Sequence, residues 1–294
     1  MRGAHLIGWW DFHPLPATTP APFNDPEKYG CISCWGIGVV IESTSPLVPK
    51  GTKIWGYLPI GTEPVSKTII ASESQNYFVD TTEHRKHLPD LYNRYFICRG
   101  SSGTSESDFA WDATMKIMFE TAYLINRVVL SWDLKGYPTL SPNGSRPWSP
   151  DDADLKNTVI LVFAPSTATF NWSGLSCLEI LGGWYDEVLV YSDDPIAAVR
   201  EASIGSNSRV LIIDFGSREL ASASWANKLY GRVESIQCLV IGTDPTNSQG
   251  IPETLTAFPD QSASFFSALV VRNGAAESVG ASTYFGELDS ALSQ

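Results

Sequence analysis

The segment Thr158-Val159-Ile160-Leu161-Val162-Phe163 is an unbroken apolar run that is rich in β-branched side chains. Similar runs recur along the chain, at 187–191, 209–214 and 235–241. Segments with helix-compatible patterns separate them, at 173–181, 194–202 and 219–230. Apolar strands that alternate with helices are typical of a parallel sheet covered by helices. The sequence therefore predicts an α/β domain over residues 108–261, which opens with a helix at 108–132.

The first part of the chain has the pattern of a β-rich domain. Glycine-interrupted or alternating apolar runs lie at 34–41, 53–58 and 64–70, with turn residues between the first two. Short strands with glycines at the corners are typical of a small twisted barrel. We therefore expect a barrel-like domain over residues 1–107. The segment 262–294 either completes this barrel or adds an edge strand to the parallel sheet, and the sequence leaves both open.

The composition excludes several classes of function. The 294 residues include 20 Lys and Arg against 32 Asp and Glu, which argues against a surface for nucleic acids or anionic membranes. No stretch reaches the roughly 18 apolar residues of a membrane span, and the start of the chain lacks an apolar signal core. The five cysteines are scattered, which favours a reducing compartment. We expect a cytoplasmic protein without membrane insertion, and the oligomeric state stays open, a homodimer included.

The motifs of metal sites and of common hydrolases are missing. Cys31 and Cys34 are the one close cysteine pair, and no second pair completes a zinc site. His84 and His87 lie in a charged stretch, expected to be solvated, that lacks the His-Glu-x-x-His order of zinc hydrolases. The sequence also has no Gly-x-Ser-x-Gly elbow and no Gly-Lys-Ser/Thr loop. We therefore expect no metal ion, no acyl-transfer nucleophile and no phosphate-loop chemistry.

Several motifs are shared with a known group of proteins: 10–16 (WDFHPLP), 29–38 (YGCISCWGIG), 55–59 (WGYLP), 91–95 (LYNRY) and 182–188 (GGWYDEV). They resemble an uncharacterised family from fungi and bacteria that is related to the medium-chain dehydrogenase/reductases. The resemblance runs over residues 9–243. It implies a GroES-like β-rich part followed by a Rossmann-like parallel sheet with flanking helices.

The chain departs from that family in the parts that hold a dinucleotide. It begins close to the Trp-Asp-Phe motif, where the family has further strands, and 159–188 has room for one βαβ unit where the resemblance implies two. Phe163 is followed by no Gly-x-Gly-x-x-Gly loop, and Pro165 removes an N–H from the place where a phosphate would bind. We therefore expect a reduced Rossmann-like domain without a cofactor. The hydroxyls of Ser166, Thr167 and Thr169 leave residual nicotinamide cofactor binding as the alternative.

The segment Trp9-Trp10-Asp11-Phe12-His13 concentrates rings, a carboxylate and an imidazole. Asp11 and His13 share parity, so on an extended segment they would point to one face and form a tuned acid/base pair. In the alternative reading, Asp11 caps a turn and His13 fills a gap before Pro14. Further candidates follow from the resemblance, namely Tyr57, Tyr92, Asn93 and Tyr95. Candidates from the predicted helix are Phe119, Thr121 and Tyr123, and core packing is the alternative for each of these.

These features predict an enzyme that needs an apolar cleft but no hydride donor. The 10 Trp, 11 Tyr and 13 Phe supply rings that would fold a flexible substrate, and His13, Tyr57 or Tyr95 would polarise its carbonyl. The expected function is a cofactor-independent cyclase of secondary metabolism that acts on an apolar terpenoid or polyketide intermediate, with a Diels–Alder-type cycloaddition as the concrete case. The alternatives are an NADPH-dependent reductase and a non-catalytic carrier of a hydrophobic metabolite.

Overall fold

The structure is a computed structural model, and it describes residues 9–61, 63–98, 105–131, 137–144, 148–164, 189–201, 208–242 and 251–292. The chain divides into two compact units. The first comprises Met1–Tyr123 with Asn273–Gln294, and the second comprises Leu124–Arg272. These limits differ from the boundaries at 107 and 261 expected from the sequence, because most of the first long helix belongs to the first unit.

The first unit contains a five-stranded antiparallel sheet with the strand order β1-β2-β5-β4-β3. Its strands are β1 (Ser33–Val39), β2 (Lys53–Pro59), β3 (Ile69–Ala71), β4 (Tyr77–Asp80) and β5 (Arg94–Cys98). The second unit contains a four-stranded parallel sheet with the order β6-β7-β8-β9. Its strands are β6 (Thr158–Phe163), β7 (Arg209–Asp214), β8 (Ser235–Val240) and β9 (Ala263–Phe265).

The helices in the described parts of the chain are α1 (Asp90–Asn93), α2 (Glu106–Leu124), α3 (Pro150–Ala153), α4 (Pro195–Glu201), α5 (Ala221–Leu229), α6 (Ile251–Thr256), α7 (Ala268–Val279) and α8 (Ala281–Leu292). Short 3₁₀ helices cover Trp9–Phe12, Glu83–Arg85, Arg218–Leu220 and Pro259–Gln261, and a π-helix at Ile125–Val129 continues α2. The mixed α/β fold class is thus confirmed as an antiparallel sheet and a parallel sheet flanked by helices. Within the described residues, no helix is long and apolar enough to cross a membrane.

Alternation along the strands gives the first sheet two different faces. One face carries the apolar core of Ile54, Phe78, Tyr95 and Ile97 with Val48. Gly56 lies on this face, where a Cβ would overlap the ring of Tyr95, so only glycine fits there.

The opposite face carries the large rings of β1, β2 and β5. Trp35 is the register partner of Tyr57, and Trp55 that of Phe96, which places these four rings on one side of the sheet. Part of this face packs against α2, where the Lys116 ammonium lies 4.0 Å from the centroid of the Phe96 ring. The strand pairing therefore divides the side chains between an apolar core and a ring-bearing face.

The second unit follows its sequence pattern closely. Strands β6, β7 and β8 occur within one residue of the predicted runs, and α4 and α5 lie within two predicted helices. Their apolar side chains form one core that includes Val210, Ile212, Trp225 and Val240. The end of the chain is divided between the two alternatives, because β9 pairs with β8 as an edge strand of the parallel sheet while Asn273–Gln294 belongs to the first unit. The helix predicted at 173–181 lies outside the described residues.

Two strands predicted from the sequence need correction, and two further strands were not predicted. The run 64–70 contributes only Ile69–Ala71 to a strand, because Pro64 interrupts strand pairing and the Lys67 side chain turns toward Asp80. Leu189–Tyr191, the described part of the predicted strand at 187–191, is not in a strand. The sequence also missed β4 and β5, whose short runs lack a sustained alternation of apolar and polar residues.

Candidate functional site

A buried arginine joins the segments that carry most of the candidate residues. The Arg85 side chain is 1% exposed and lies in a stretch that the sequence predicted to be solvated, so that prediction is wrong for Arg85. Its Nη1 donates to the Phe12 carbonyl oxygen at 2.5 Å, and its Nη2 donates to the Tyr92 carbonyl oxygen at 2.6 Å. Its Nε donates to Asn93 Oδ1 at 3.0 Å, while the Asn93 amide donates back to the Arg85 carbonyl at 2.9 Å. The guanidinium thereby fixes two loops next to the ring-bearing face.

His13 is held on both sides of its ring. Arg85 Nη1 lies 3.1 Å from His13 Nε2, and since arginine only donates, Nε2 is the acceptor and Nδ1 carries the proton. That N–H points to Ser33 Oγ at 2.8 Å. Burial, reinforced by the charges of Lys67 and Arg85, lowers the pKa of His13 to about 3. His13 is therefore a neutral, fully engaged imidazole at physiological pH.

Asp80 is the carboxylate that balances this concentration of positive charge. Its Oδ2 accepts from Lys67 Nζ at 2.8 Å and lies 3.2 Å from Arg85 Nε. Its Oδ1 accepts from the Thr82 hydroxyl at 2.5 Å and from the Thr82 N–H at 3.0 Å. Burial alone would raise the pKa of Asp80, but the attraction of Lys67 and the hydrogen bonds from Lys67 and Thr82 outweigh it and lower that pKa. Asp80 is thus an ionised carboxylate with both oxygens engaged.

The Tyr95 hydroxyl links this charge network to β2. It accepts from Lys67 Nζ at 2.8 Å and donates to the Tyr57 carbonyl oxygen at 2.9 Å. The Tyr95 ring is completely buried and stacks on Phe78 with the centroids 5.2 Å apart. Burial raises the pKa of Tyr95, so its hydroxyl keeps its proton. Both bonding directions of this hydroxyl are taken up by the protein itself.

Four rings, of Phe12, Trp35, Tyr57 and Tyr92, pack together and are called the ring cluster below. Tyr57 is at its centre, with centroid distances of 5.1 Å to Phe12, 5.4 Å to Trp35 and 4.9 Å to Tyr92. All three contacts are edge-to-face, the geometry that aromatic quadrupoles favour. Trp35 also stacks on Trp55 at 4.8 Å. The ring cluster therefore unites four segments of the first unit.

The Tyr57 hydroxyl differs from the other polar groups here. Within the described parts of the chain it has no hydrogen-bond partner, although the residue is only 8% exposed. Burial, with smaller effects from Tyr92 and Cys34, raises the pKa of Tyr57. Its O–H is therefore a protonated donor beside other rings, available to an acceptor that the described residues do not supply.

The structure thus brings together Phe12, His13, Tyr57, Tyr92, Asn93 and Tyr95 among the predicted site residues. Trp10 packs its ring against Gly30. The side chains of Trp9 and Asp11 lie outside the described part of the structure. Because Trp9–Phe12 is a 3₁₀ helix, the extended backbone assumed for the Asp11–His13 pairing is absent.

The candidates on α2 make different contacts. Thr121 Oγ1 donates to the Ile117 carbonyl at 3.0 Å, and the Tyr123 hydroxyl donates to Glu287 of α8 at 3.5 Å. The Phe119 ring lies 6.4 Å from that of Tyr123. Ser166, Thr167 and Thr169, the proposed phosphate contacts, are outside the described residues. No group of three or more His, Cys, Asp or Glu side chains in the described parts could hold a metal ion.

Sequence reasoning missed the four polar residues that organise the site: Ser33, Lys67, Asp80 and Arg85. Ser33 lies within the motif 29–38 but nothing singles it out there, and no motif marks the other three, which meet only through the folding of the sheet. Composition gives no positive indication of this buried network. Charged residues are scarce in this chain, and a charged side chain costs more free energy to bury than an apolar one.

Residues 1–171 match the sequence model of a family described as protein of unknown function (DUF2855). The chain belongs to the DUF2855 family. The match covers more than half of the chain and includes all of the ring cluster and the charge network around Asp80. No curated protein and no solved structure matches the chain. For this DUF2855 protein, the function must therefore be argued from the site itself.

Proposed function

We propose that this protein is a cofactor-independent cyclase that folds a flexible apolar terpenoid or polyketide intermediate against the ring cluster and accelerates its ring closure. An intramolecular Diels–Alder-type cycloaddition is the reaction that fits best. The observation that carries the proposal is the Tyr57 hydroxyl, which lies among three other rings without a protein partner in the described residues. A substrate carbonyl is the acceptor that such a donor requires.

Two of the three candidates for the group that polarises the substrate carbonyl are already hydrogen-bonded within the protein. His13 gives both ring nitrogens to Arg85 and Ser33, and the Tyr95 hydroxyl is bonded to Lys67 and to the Tyr57 carbonyl. Neither has a hydrogen-bonding direction left for a substrate without breaking a buried contact. The proposal therefore assigns the polarising role to Tyr57 and a positioning role to His13 and Tyr95.

Orientation and a single hydrogen bond suffice for this kind of reaction. Holding the diene and the dienophile of one molecule in the reactive geometry is worth roughly 7–11 kcal/mol in favourable cases. A donor in a dry environment adds to this as negative charge grows on the activating carbonyl. The edge-to-face packing around Tyr57 keeps that donor in place before the substrate arrives, so little reorganisation is needed.

The finer description of the fold belongs to the same proposal. The antiparallel unit would be a GroES-like barrel and the parallel unit a reduced Rossmann-like domain, both inherited from a medium-chain dehydrogenase/reductase ancestor. Support comes from the order of the two sheets along the chain and from the uniformly parallel strands β6 to β9. A formal charge of −12 is compatible with a neutral substrate.

Binding is tested first, with the neutral dye Nile red and the intact chain. We expect saturable fluorescence enhancement that a Trp35→Ala substitution weakens at least tenfold, because it removes one wall of the ring cluster. Trp111→Ala on α2 is the matched control, since this exposed indole is not part of the cluster. Equal binding by the natural protein and the Trp35→Ala variant would remove the ring cluster as the binding surface.

Catalysis is tested with a panel of linear polyenes that carry a diene and an activated enone. We expect ring closure above the spontaneous rate for at least one member, and Tyr57→Phe to lower that acceleration by about 10²-fold, as loss of one transition-state donor does. Tyr230→Phe, an exposed tyrosine in the second unit, is the control and leaves the rate unchanged. Binding without acceleration would favour the carrier, and micromolar NADPH binding in a fluorescence titration would favour the reductase.

A further inference from the structure

Lys67 is a second chemically distinctive group, on the opposite face of the sheet from the ring cluster. It belongs to the segment between β2 and β3, and its ammonium reaches inward to Asp80 Oδ2 and to the Tyr95 hydroxyl, both at 2.8 Å. Within the described residues no third protein group bonds to Nζ, and 11% of the side chain remains exposed. Three of its neighbours, Pro64, Val65 and Ser66, are exposed. The amine is thus mostly enclosed but can be approached from one side.

We propose that Lys67 is an imine-forming lysine that takes a small neutral aldehyde or ketone, a reaction that the cyclase proposal does not include. The geometry that points to it is one amine held between a carboxylate and a phenol. The carboxylate can accept and return a proton, and the phenol oxygen, whose own proton goes to the Tyr57 carbonyl, holds the amine in place by accepting a hydrogen bond from it. Arg85, 3.2 Å from the same carboxylate, supplies a second positive charge beside the amine.

The chemistry balances without any further reactant. The lone pair of the neutral Lys67 amine forms the N–C bond, and the electron pair of the C=O bond moves to oxygen. Asp80 carries one of the two nitrogen protons to that oxygen, which becomes a carbinolamine hydroxyl. Asp80 then accepts the second proton from the nitrogen and passes it to the hydroxyl, which leaves as water while the C=N bond forms. The product is an imine and one water molecule. When the imine is protonated it keeps a positive charge at the same place, so Asp80 retains its partner.

The surroundings of Lys67 increase the fraction of the neutral amine, which is the form that attacks a carbonyl. Burial, supported by the charge of Arg85 and opposed by Asp80, lowers the pKa of Lys67 to about 8. At pH 7.5 about a quarter of such amines are neutral, against roughly 0.1% of ordinary lysines. The other ionisable neighbours of this network, His13 and His84, both have pKa values lowered by burial, so neither adds a positive charge at this pH.

Reductive trapping of the intact protein tests the proposal. The probe is propionaldehyde with sodium cyanoborohydride at pH 7.5, and peptide mapping by mass spectrometry gives the rate of alkylation at each lysine. We expect Lys67 to be alkylated at least tenfold faster than Lys50, which is exposed and has no ion-pair partner in the described residues. In urea the two rates should become equal, because the preference belongs to the folded environment. A rate at Lys67 equal to or below that at Lys50 in the folded protein would overturn the proposal.

Two variants sharpen the result. Tyr95→Phe keeps the ring on Gly56 but removes the hydroxyl beside the amine, and should slow alkylation of Lys67 several-fold while leaving Lys50 unchanged. Tyr57→Phe removes the hydroxyl of the ring cluster and should not change the rate at Lys67. The result at Lys67 is therefore independent of the cyclase proposal, since Tyr57→Phe removes the polarising hydroxyl of that proposal and leaves the rate at Lys67 unchanged.

Discussion

Asp80 in the first unit and Asp214 in the second are both buried, and their carboxylates are stabilised in different ways. Asp80 in the first unit is bonded to Lys67 and is close to Arg85, which in turn reaches the carbonyl of Phe12, 73 residues away along the chain. The Asp214 carboxylate in the second unit accepts hydrogen bonds from residues within 216–222, the segment that follows it directly in the chain. Its Oδ1 accepts from the N–H groups of Gly216 and Ser217 at 2.8 and 2.7 Å.

The remaining oxygen of Asp214 completes the local pattern. Its Oδ2 accepts from the hydroxyls of Ser217, at 2.9 Å, and of Ser222, only eight residues away in the chain. Neutral donors from the short segment 216–222 thus satisfy Asp214, while Asp80 depends, besides Thr82, on the charged side chains of Lys67 and Arg85. A local cap of this kind shapes a single turn, whereas a network of charges ties remote segments together and is the more sensitive to loss of any member.

The largest effect is expected from Arg85→Met. Removing this guanidinium takes away the donor that reaches the carbonyls of Phe12 and Tyr92 and His13 Nε2, which should lower the free energy of unfolding by about 3–5 kcal/mol. Urea unfolding measures the loss, and hydrogen exchange should show it in β4 and β5. Arg232→Met, at an exposed position, is the control. A loss no larger than that of the control would mean that Arg85 does not hold these segments together.

A smaller and more local effect is expected from Asp214→Ala. Two backbone N–H groups and two hydroxyls lose their acceptor, at a cost of about 2–3 kcal/mol, because they come from one loop that can rearrange toward water. Hydrogen exchange should increase around 214–222 while β4 and β5 stay protected. If Asp214→Ala instead exposes the first sheet as much as Arg85→Met does, the contrast between the two carboxylates fails.

The smallest effect on the free energy of unfolding is expected when the pH is lowered. The folded pKa of His13, about 3, lies below its ordinary value of 6.5, so the unfolded chain binds the extra proton and stability falls as the pH drops from 6.5 toward 3. Between pH 7 and pH 5 the loss should be about 2 kcal/mol, still above the range in which Asp80 titrates. His13→Gln should flatten this part of the urea-unfolding profile. His84→Gln controls for the other histidine with a lowered pKa, and an unchanged slope in His13→Gln would assign the acid loss elsewhere.

The two units also differ in how far the sequence predicted them. The runs 158–163, 209–214 and 235–241 predicted β6, β7 and β8 almost to the residue, because a strand buried on both faces must be apolar throughout. In the first unit β1 and β2 were predicted, but β4 and β5 were missed. β4 has three consecutive apolar residues before Asp80 and β5 has four after Arg94, and apolar runs this short do not by themselves mark a strand.

The candidate site shows the same limit. Tyr57, Tyr92 and Tyr95 came from the sequence as members of recognisable motifs, and the structure places all three around β2. Their roles did not follow from the sequence, since the hydroxyl of Tyr95 is bonded on both sides while that of Tyr57 has no partner in the described residues. Which hydroxyl is available depends on Lys67 and on strand register, neither of which a local pattern contains.

The sequence by itself determined the parallel strands, the first two antiparallel strands, the long helix α2 and the concentration of rings near Trp9 to His13. These features follow from local periodicity and composition, which act over a few residues at a time. Only the tertiary structure decided that Arg85 is buried, that His13 is neutral and that Lys67 and Asp80 form a pair. The physical reason is that charge can be buried only where its partners converge, and here those partners come from segments that are far apart in the chain.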